Sequence, residues 1–450
     1  MTAVYFITPK KAKNAVILLG SLFFYAWGEP RYVLLMAATI VIGYVFGILI
    51  EKNRDNKFGK VFTALSVVSG AGLLTYFKYA DFFIGSFNSV TGLSVPLLKI
   101  ALPVGISFYT FQMLSYTIDV GRGQVRAQRN FINLAAYISM FPQLIAGPIV
   151  RYSDIDRQLT GRSHTLAGTA LGIRRFVLGL GKKVIIANTL GELCSKFLAS
   201  KEQSALFAWI YLFAAALQIY YDFSGYSDMA IGLGRVLGFD FPENFNYPFI
   251  SRSVTEFWRR WHMTLGSWFR DYLYIPLGGN RAGKSRQMFN ILIVWLATGL
   301  WHGAAWNFVI WGLYFAVFLI IEKLWLGKYL AKSKTLGHIY LVFFVGISFV
   351  IFNADTVSQA VRNISLLFGG GATPVTAESV FYLKSYAGVL LVGLIGATPA
   401  AAKLCSVIRG RTAGEKTLNF IEPLFLAALL LVCVAYLVNG SYNPFLYFRF

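Results

Sequence analysis

Long uncharged runs alternate with short polar segments along the whole chain, and this pattern predicts its helices. Residues 32–50 and 335–354 are long and apolar enough to cross a bilayer, because about 20 apolar residues in a helix span the ~30 Å hydrocarbon layer. Residues 131–150 contain Pro142 and Pro148, which predict a bent or re-entrant piece. The pattern as a whole predicts an all-α polytopic integral membrane protein with about ten to twelve transmembrane or re-entrant helices.

Residues 257–321 form the central stretch of this pattern. Their last thirty-five residues, 287–321, contain no Asp, Glu, Lys or Arg. A single helix of that length would reach roughly 50 Å, since a helix rises about 1.5 Å per residue, which exceeds the hydrocarbon layer. The run is therefore expected to break, at Gly299 and Gly303, and the break places His302 inside the membrane.

Two further regions carry helix predictions. The uncharged runs 82–98 and 100–118 are predicted to be helices that are kinked or broken, because Pro96 and Pro103 lie in them. The run 203–221 is predicted to be a complete span.

Composition agrees with a membrane protein and argues against nucleic-acid binding. The chain is 56% hydrophobic and 14% charged, with a mean hydropathy of +0.59. Its net charge is +21, but the basic residues lie in short segments such as 10–13, 51–60 and 122–129. Basic loops of this kind face the cytoplasm and anionic lipid headgroups, so the expected partner is the lipid bilayer.

The histidines are the first candidates for chemistry. Ionisable groups are rare within a span because their transfer from water is costly, so one that is present is a functional candidate. The alternative for His302 is a neutral histidine with a structural role. His262 lies on the same segment, whereas His164 and His338 stand in polar or boundary positions and are expected to be ordinary. The three cysteines lack metal-ligand or disulfide spacing and predict neither kind of site.

Two acids interrupt an otherwise apolar segment after residue 221. Asp222 and Asp228 flank Ser224, and they admit three interpretations: binding of a cation, a proton relay, or the capping and anchoring of a broken helix. The serine does not belong to a G-x-S-x-G nucleophile elbow.

Residues 257–270 read FWRRWHMTLGSWFR and predict one basic, tryptophan-rich helix at the membrane interface. Trp261 belongs to its apolar face, with Arg259 and Arg260 beside it. Taken by itself, His262 in such a helix is interpreted as an interfacial packing residue before a catalytic one. The C-terminal aromatic segment 443–450 predicts an interfacial anchor, with the hydroxyl of Tyr447 as an alternative nucleophile.

Four segments together resemble the membrane-bound O-acyltransferase family: 141–152, 220–249, 256–281 and 299–312. The likeness covers most of the chain, is densest at 103–312, and is closest to the branch that O-acetylates alginate and other bacterial envelope polysaccharides. It implies one membrane-embedded domain over residues 1–450, with helices around an acyl-transfer tunnel. Family members usually carry a further apolar stretch before the YFITPKKAKN-like segment, so the expectation here is either a truncated first helix or a misassigned start codon.

The resemblance also implies roles for individual residues. The family's two signature histidines match His302, as general base on an acceptor hydroxyl, and His262, which would position the acceptor or polarise the donor carbonyl. Tyr447 lies in a C-terminal pattern that family members associate with an acyl relay. Tunnel or substrate positioning is expected of Asp222, Ser224, Asp228, Trp261, Arg259, Arg260, Trp301 and Asn307.

The implied reaction moves an acyl group, most simply acetyl, from a cytoplasmic thioester such as acetyl-CoA to an extracytoplasmic polysaccharide, without a permanently bound cofactor. The implied setting is a bacterial inner membrane. The implied partner is an extracytoplasmic transferase of the SGNH type, AlgJ-, AlgX- or DltD-like. Three alternatives stay open: DltB-like D-alanyl transfer to teichoic acid, a transporter or flippase that couples through the two acids, and a non-catalytic scaffold.

Overall fold

The computed structural model describes residues 1–281, 283–371 and 373–440, and their regular elements are helical. Within these residues, seven helices are long and apolar enough to cross a membrane: Val33–Lys52, Lys57–Thr91, Ala205–Val236, Trp306–Leu330, Lys334–Asn353, Ala377–Gly396 and Thr412–Val438. The predicted ten to twelve pieces also counted re-entrant elements. The prediction of a polytopic all-α protein is confirmed.

The first of two compact units comprises residues 1–173 and 230–242. Its helices are α1 (Thr2–Ile7), α2 (Lys13–Gly28), α3 (Val33–Lys52), α4 (Lys57–Thr91), α5 (Ile106–Gly121), α6 (Phe131–Ser139), α7 (Phe141–Leu144), α8 (Tyr152–Gly161) and the first half of α9 (Leu166–Gly181). The predicted break is confirmed, because residues 92–105 form no helix between α4 and α5 and contain Pro96 and Pro103. The predicted span at 82–98 is not a separate helix, since α4 continues to Thr91.

The predicted bend at 131–150 is confirmed. Helix α6 ends at Ser139, and the four-residue α7 begins two residues later. The Gln143 side chain donates to the carbonyl oxygen of Tyr137 at 3.0 Å, so one of the carbonyls released at the end of α6 gains a partner inside the bend.

The second unit comprises residues 174–229 and the chain from 243 onward. After the end of α9 and a π-helical segment (Lys182–Ala187), its helices are α10 (Asn188–Ala199), α11 (Ala205–Val236), α12 (Val254–Trp258), α13 (Met263–Phe269), α14 (Lys284–His302), α15 (Trp306–Ile321), α16 (Gly327–Leu330), α17 (Lys334–Asn353), α18 (Val357–Leu367), α19 (Ala377–Gly396), α20 (Ala400–Arg409) and α21 (Thr412–Val438). The last turns of α11 belong to the first unit. This helix runs unbroken past residue 222, so the interpretation of a broken helix there is wrong.

The predicted interfacial helix at 257–270 is also wrong. Helix α12 ends at Trp258, α13 begins at Met263, and His262 between them has a left-handed backbone with φ 43°. Trp261 is only 4% exposed and Trp268 only 7%. The tryptophans therefore pack into the protein, and this packing offsets the backbone strain, about 1–3 kcal/mol, of a non-glycine residue with this φ.

The break predicted in the uncharged run occurs at one of its two expected positions. Helix α14 ends at His302, and Gly303 is extended, as predicted. Gly299 does not break the helix and instead lets α14 approach α15. A Cβ added to Gly299 would overlap the carbonyl oxygen of Phe308, and a Cβ added to Gly312 would overlap the carbonyl oxygen of Trp295. Each added Cβ would also lie 3.2 Å from the Cα of the other glycine.

A buried carboxylate anchors α12. Glu322, directly after α15, accepts hydrogen bonds from the backbone N–H of Val254 at 2.6 Å, from the N–H of Thr255 at 2.9 Å and from the Thr255 hydroxyl at 2.6 Å. These N–H groups lack partners within the helix, and a carboxylate at a helix N-terminus is electrostatically favourable. The start of α12 is thereby fixed to the end of α15.

We predict that Gly312→Val destabilises the protein, because its side chain must push α14 and α15 apart. Overpacking of this kind costs about 1–3 kcal/mol, and it should lower the thermal midpoint of the detergent-solubilised protein. Gly388→Val is the matched control, since a Cβ at Gly388 meets nothing within 4 Å. Equal thermal midpoints for the two variants would contradict the close helix contact.

Candidate active site

Two buried histidines from separate elements of the second unit meet at one tryptophan. The Trp301 ring lies 5.8 Å from the His262 ring and 5.1 Å from the His302 ring, measured between centroids. The exposed fractions are 1% for His262 and 5% for His302. The structure thus brings together both predicted catalytic histidines and Trp301.

His302 is the last residue of α14 and lies among aromatic rings. Its ring packs edge-to-face against Trp311 at 5.0 Å and against Phe352 at 5.3 Å. These rings come from α15 and α17. An apolar surrounding of this kind favours a neutral imidazole, because a charge is costly to bury among apolar groups.

His262 is held from the other side by a polar residue. Its Nδ1 lies 2.9 Å from Oδ1 of Asn244, and its ring meets Phe223 edge-to-face at 4.6 Å. Nε2 is buried and has no hydrogen-bond partner among the described residues. His262 lies outside the seven candidate spans, and burial, with a smaller effect from nearby His302, holds its pKa well below the ordinary value of 6.5.

The two predicted acids of α11 are paired with cations. Asp222 lies 2.5 Å from Nζ of Lys183. Asp228 binds Arg175 at 2.8 Å and Lys182 at 2.6 Å. The acids therefore tie α11 to the end of α9 and the π-helical segment after it, which agrees with an anchoring role and not with free cation-coupling sites.

Ser224 lies between these acids on α11, and its hydroxyl is buried without a hydrogen-bond partner among the described residues. The adjacent Phe223 is the residue of this stretch that contacts His262. Ser224 therefore follows, in sequence, the residue whose ring contacts His262.

Several other predicted positioning residues make local contacts. Trp261 packs among aromatic rings, including Phe257 at 5.4 Å. Arg259 is exposed, and Arg260 pairs with Glu256 one turn earlier at 3.0 Å. Their predicted place in an interfacial helix does not hold, because that helix is interrupted at His262.

Asn307 fastens the first turn of α15. Its side-chain amide donates to the carbonyl oxygen of Ala354 at 2.9 Å, directly after the end of α17. The residue therefore fixes the segment that follows His302. Tyr447, the predicted relay residue, lies outside the described residues.

Sequence reasoning missed the polar residues that support His262. Asn244 accepts hydrogen bonds from His262 and from the Thr264 hydroxyl at 2.9 Å each, and it donates to the Ser227 hydroxyl at 3.0 Å. The sequence signal for Asn244 is its place in the polar stretch ENFNY at 243–247. The structure adds that Asn244 is only 1% exposed, and a buried amide requires hydrogen-bond partners.

The arrangement has the parts of a proton-transfer site. Two buried imidazoles in their neutral form can each accept a proton or a hydrogen bond. A neutral histidine within reach of a hydroxyl is the usual general base for the attack of that hydroxyl on an acyl carbonyl.

Comparison with known proteins agrees with this chemistry. The family model described as MBOAT, membrane-bound O-acyltransferase family, matches residues 123–358. A probable alginate O-acetylase, AlgI, of Azotobacter vinelandii is 37% identical over 99% of this chain and 96% of its own length. A peptidoglycan O-acetyltransferase of Helicobacter pylori is 30% identical over 99% of this chain and 94% of its own length.

A more distant relative transfers a different group. The teichoic acid D-alanyltransferase of Bacillus subtilis is 31% identical over 50% of this chain and 61% of its own length. The matched family region includes both buried histidines and Asn244. The chain therefore belongs to the membrane-bound O-acyltransferase family and is a multi-pass membrane O-acyltransferase.

Proposed function

We propose that the protein transfers an acetyl group from a thioester toward the hydroxyl groups of a bacterial envelope polysaccharide, with His302 as general base on the hydroxyl that first accepts it. The observation that carries this proposal is the pairing of two buried histidines across Trp301. Both rings lie in the part of the chain that matches the acyltransferase family.

The proposed step balances with two proton transfers. The acceptor oxygen attacks the acetyl carbonyl carbon while its proton moves to a ring nitrogen of His302. The carbon–sulfur bond then breaks, and His302 returns the proton to the departing thiolate. An ester and a free thiol result, and the imidazole is again neutral, so the step as proposed requires no permanently bound cofactor.

Acetyl is favoured over D-alanyl because of how much of the chain each relative matches. Relatives named as O-acetylases or O-acetyltransferases align with nearly all of it, whereas the teichoic acid D-alanyltransferase aligns with half. The relatives' names also support a polysaccharide acceptor, since alginate and peptidoglycan both carry sugar hydroxyls. Transport through Asp222 and Asp228 is disfavoured, because both acids are already paired with cations.

The proposed setting is a bacterial inner membrane with the basic segments 10–13, 51–60 and 122–129 on the cytoplasmic side. A thioester such as acetyl-CoA would then enter from the cytoplasm. The polysaccharide would be reached through an extracytoplasmic transferase partner of the SGNH type, AlgJ-, AlgX- or DltD-like, because a large polymer cannot enter the interior of a helical protein.

We predict that His302→Ala abolishes acetylation and leaves membrane insertion intact. In a deletion strain, the ester-linked acetate of purified envelope polysaccharides should fall, and wild-type protein should restore it. The variant should lower transfer at least about 100-fold, the low end of a general base's contribution. The matched control is His338→Ala, because His338 is exposed and, among the described residues, its hydrogen bond is to the carbonyl oxygen of Ser251 at 3.2 Å, away from the paired histidines.

Restoration of acetate by His302→Ala would contradict the assignment of the base. Unchanged acetate in the deletion strain, with a loss of ester-linked D-alanine, would instead indicate teichoic acid as the acceptor. Because immunoblots of membrane fractions report the amount of each variant, failure to insert is distinguishable from failure to catalyse.

We predict that Tyr447 carries the acetyl group transiently on its phenolic oxygen, as the resemblance of residues 445–448 to an acyl-relay sequence implies. Tyr447→Phe removes that oxygen and keeps the aromatic ring, so acetate on the polysaccharide should be lost while protein abundance is unchanged. Mass spectrometry of the C-terminal peptide during turnover should find an acetylated tyrosine in the wild type. Normal acetylation by Tyr447→Phe would exclude the relay.

A further inference from the structure

We infer that Asn244 is a positioning residue that fixes the tautomer of His262, so that Nε2 of His262 serves as a hydrogen-bond acceptor. This assignment decides between the two roles open to His262, which were positioning the acceptor and polarising the donor carbonyl. The tautomer rests on the geometry alone, and its catalytic consequence rests on the proposed acyl transfer.

The orientation of the Asn244 amide is fixed by groups other than the histidine. The backbone N–H of Thr264 can only donate, and it points to Oδ1 of Asn244 with N and O 3.4 Å apart. On the other side of the amide, Nδ2 donates to the Ser227 hydroxyl at 3.0 Å. A flipped amide would turn Nδ2 toward the Thr264 N–H and place two donors face to face.

The amide oxygen in turn determines which ring nitrogen carries the proton. Nδ1 of His262 lies 2.9 Å from Oδ1 of Asn244, and an amide oxygen can only accept, so Nδ1 must donate. A neutral imidazole has one N–H, which leaves a lone pair on Nε2. That nitrogen is buried and has no hydrogen-bond partner among the described residues, as expected of an acceptor reserved for a ligand.

The same segment also holds the backbone of His262. The N–H of Met263 donates to the Asn244 carbonyl oxygen, and the N–H of Asn246 donates to the Arg260 carbonyl oxygen, at 2.9 Å each. These two bonds flank His262, whose φ of 43° is rare for a non-glycine residue. The main-chain hydrogen bonds thus hold the backbone of His262, and the Asn244 side chain determines which ring nitrogen carries the proton. A substitution at Asn244 can therefore release the tautomer while the main-chain hydrogen bonds remain.

The tautomer restricts what His262 can do during acyl transfer. An Nε2 that carries no proton cannot donate a hydrogen bond to a carbonyl oxygen, so His262 does not polarise the carbonyl group of the acyl donor. It can accept a hydrogen bond from a donor group of the bound acceptor other than the hydroxyl that reacts, while the reacting hydroxyl gives its proton to His302. Nε2 of His262 thereby positions the acceptor.

The tautomer can be measured without any substrate. The chain has four histidines, so nitrogen-15 labelling of histidine in the full-length protein in lipid nanodiscs gives four ring systems, and His262→Gln identifies the one of interest. We expect a protonated, pyrrole-type Nδ1 and an unprotonated, pyridine-type Nε2. An unprotonated Nδ1 in the wild type would overturn the inference.

Variants around Asn244 separate its role from general packing. Asn244→Ala should lose the fixed tautomer, whereas Asn244→Asp keeps an acceptor oxygen and should keep Nδ1 protonated. Thr264→Val retains the backbone N–H and should also keep Nδ1 protonated. The unshifted resonances of the other three histidines report that a variant is folded, and a folded Asn244→Ala protein with the wild-type tautomer would contradict the role of Asn244.

The acetylation assay connects the tautomer to function. Asn244→Ala should lower acetate transfer about 10- to 100-fold, the size of effect seen when a group that orients a metal-binding histidine is removed. Full activity of this variant, with His302→Ala inactive, would overturn the inference and leave the proposed function standing. The expected tautomer together with an active His302→Ala protein would overturn only the proposed function.

Discussion

The central constraint on this structure is the burial of two imidazoles in a helical interior with few polar groups. A buried ring nitrogen needs a hydrogen-bond partner or a ligand, and a buried charge needs a counter-ion. His262 meets the first requirement at Nδ1 through Asn244 and leaves Nε2 for a ligand. His302 lies among aromatic rings that favour its neutral form. The reactivity proposed for the site follows from this shared neutrality.

The two histidines are held by different structural devices. His302 ends a helix that is fixed by the glycine contact between Gly299 and Gly312, a packing mode suited to membranes because it needs no hydrophobic driving force. His262 lies in a strained turn between two short helices, and the first of these is anchored by Glu322. The ion pairs at Asp222 and Asp228 add a further tie between helices.

The sequence was informative where local chemistry decides structure. The uncharged length of 287–321 required a break, and Gly303 provides it. The sequence was misleading where residues distant along the chain determine the local structure. The tryptophan spacing in 257–270 fits one helix, yet the backbone turns at His262. It turns there because Asn244, in a preceding loop, binds both the His262 ring and the backbone of Met263. Likewise, α11 continues past Asp222 because a lysine some forty residues earlier neutralises it, and the spacing of residues along α11 carries no sign of that pairing.

The most direct test is a double-mutant cycle on the initial rate of polysaccharide acetylation in membrane vesicles supplied with acetyl-CoA. The central claim is that His302 and His262 act as one unit in acyl transfer. It predicts that each alanine variant is strongly impaired and that the double variant is no slower than the more impaired single one, because groups acting together are not additive. Independent, multiplying losses, or a normal rate for either single variant, would contradict it.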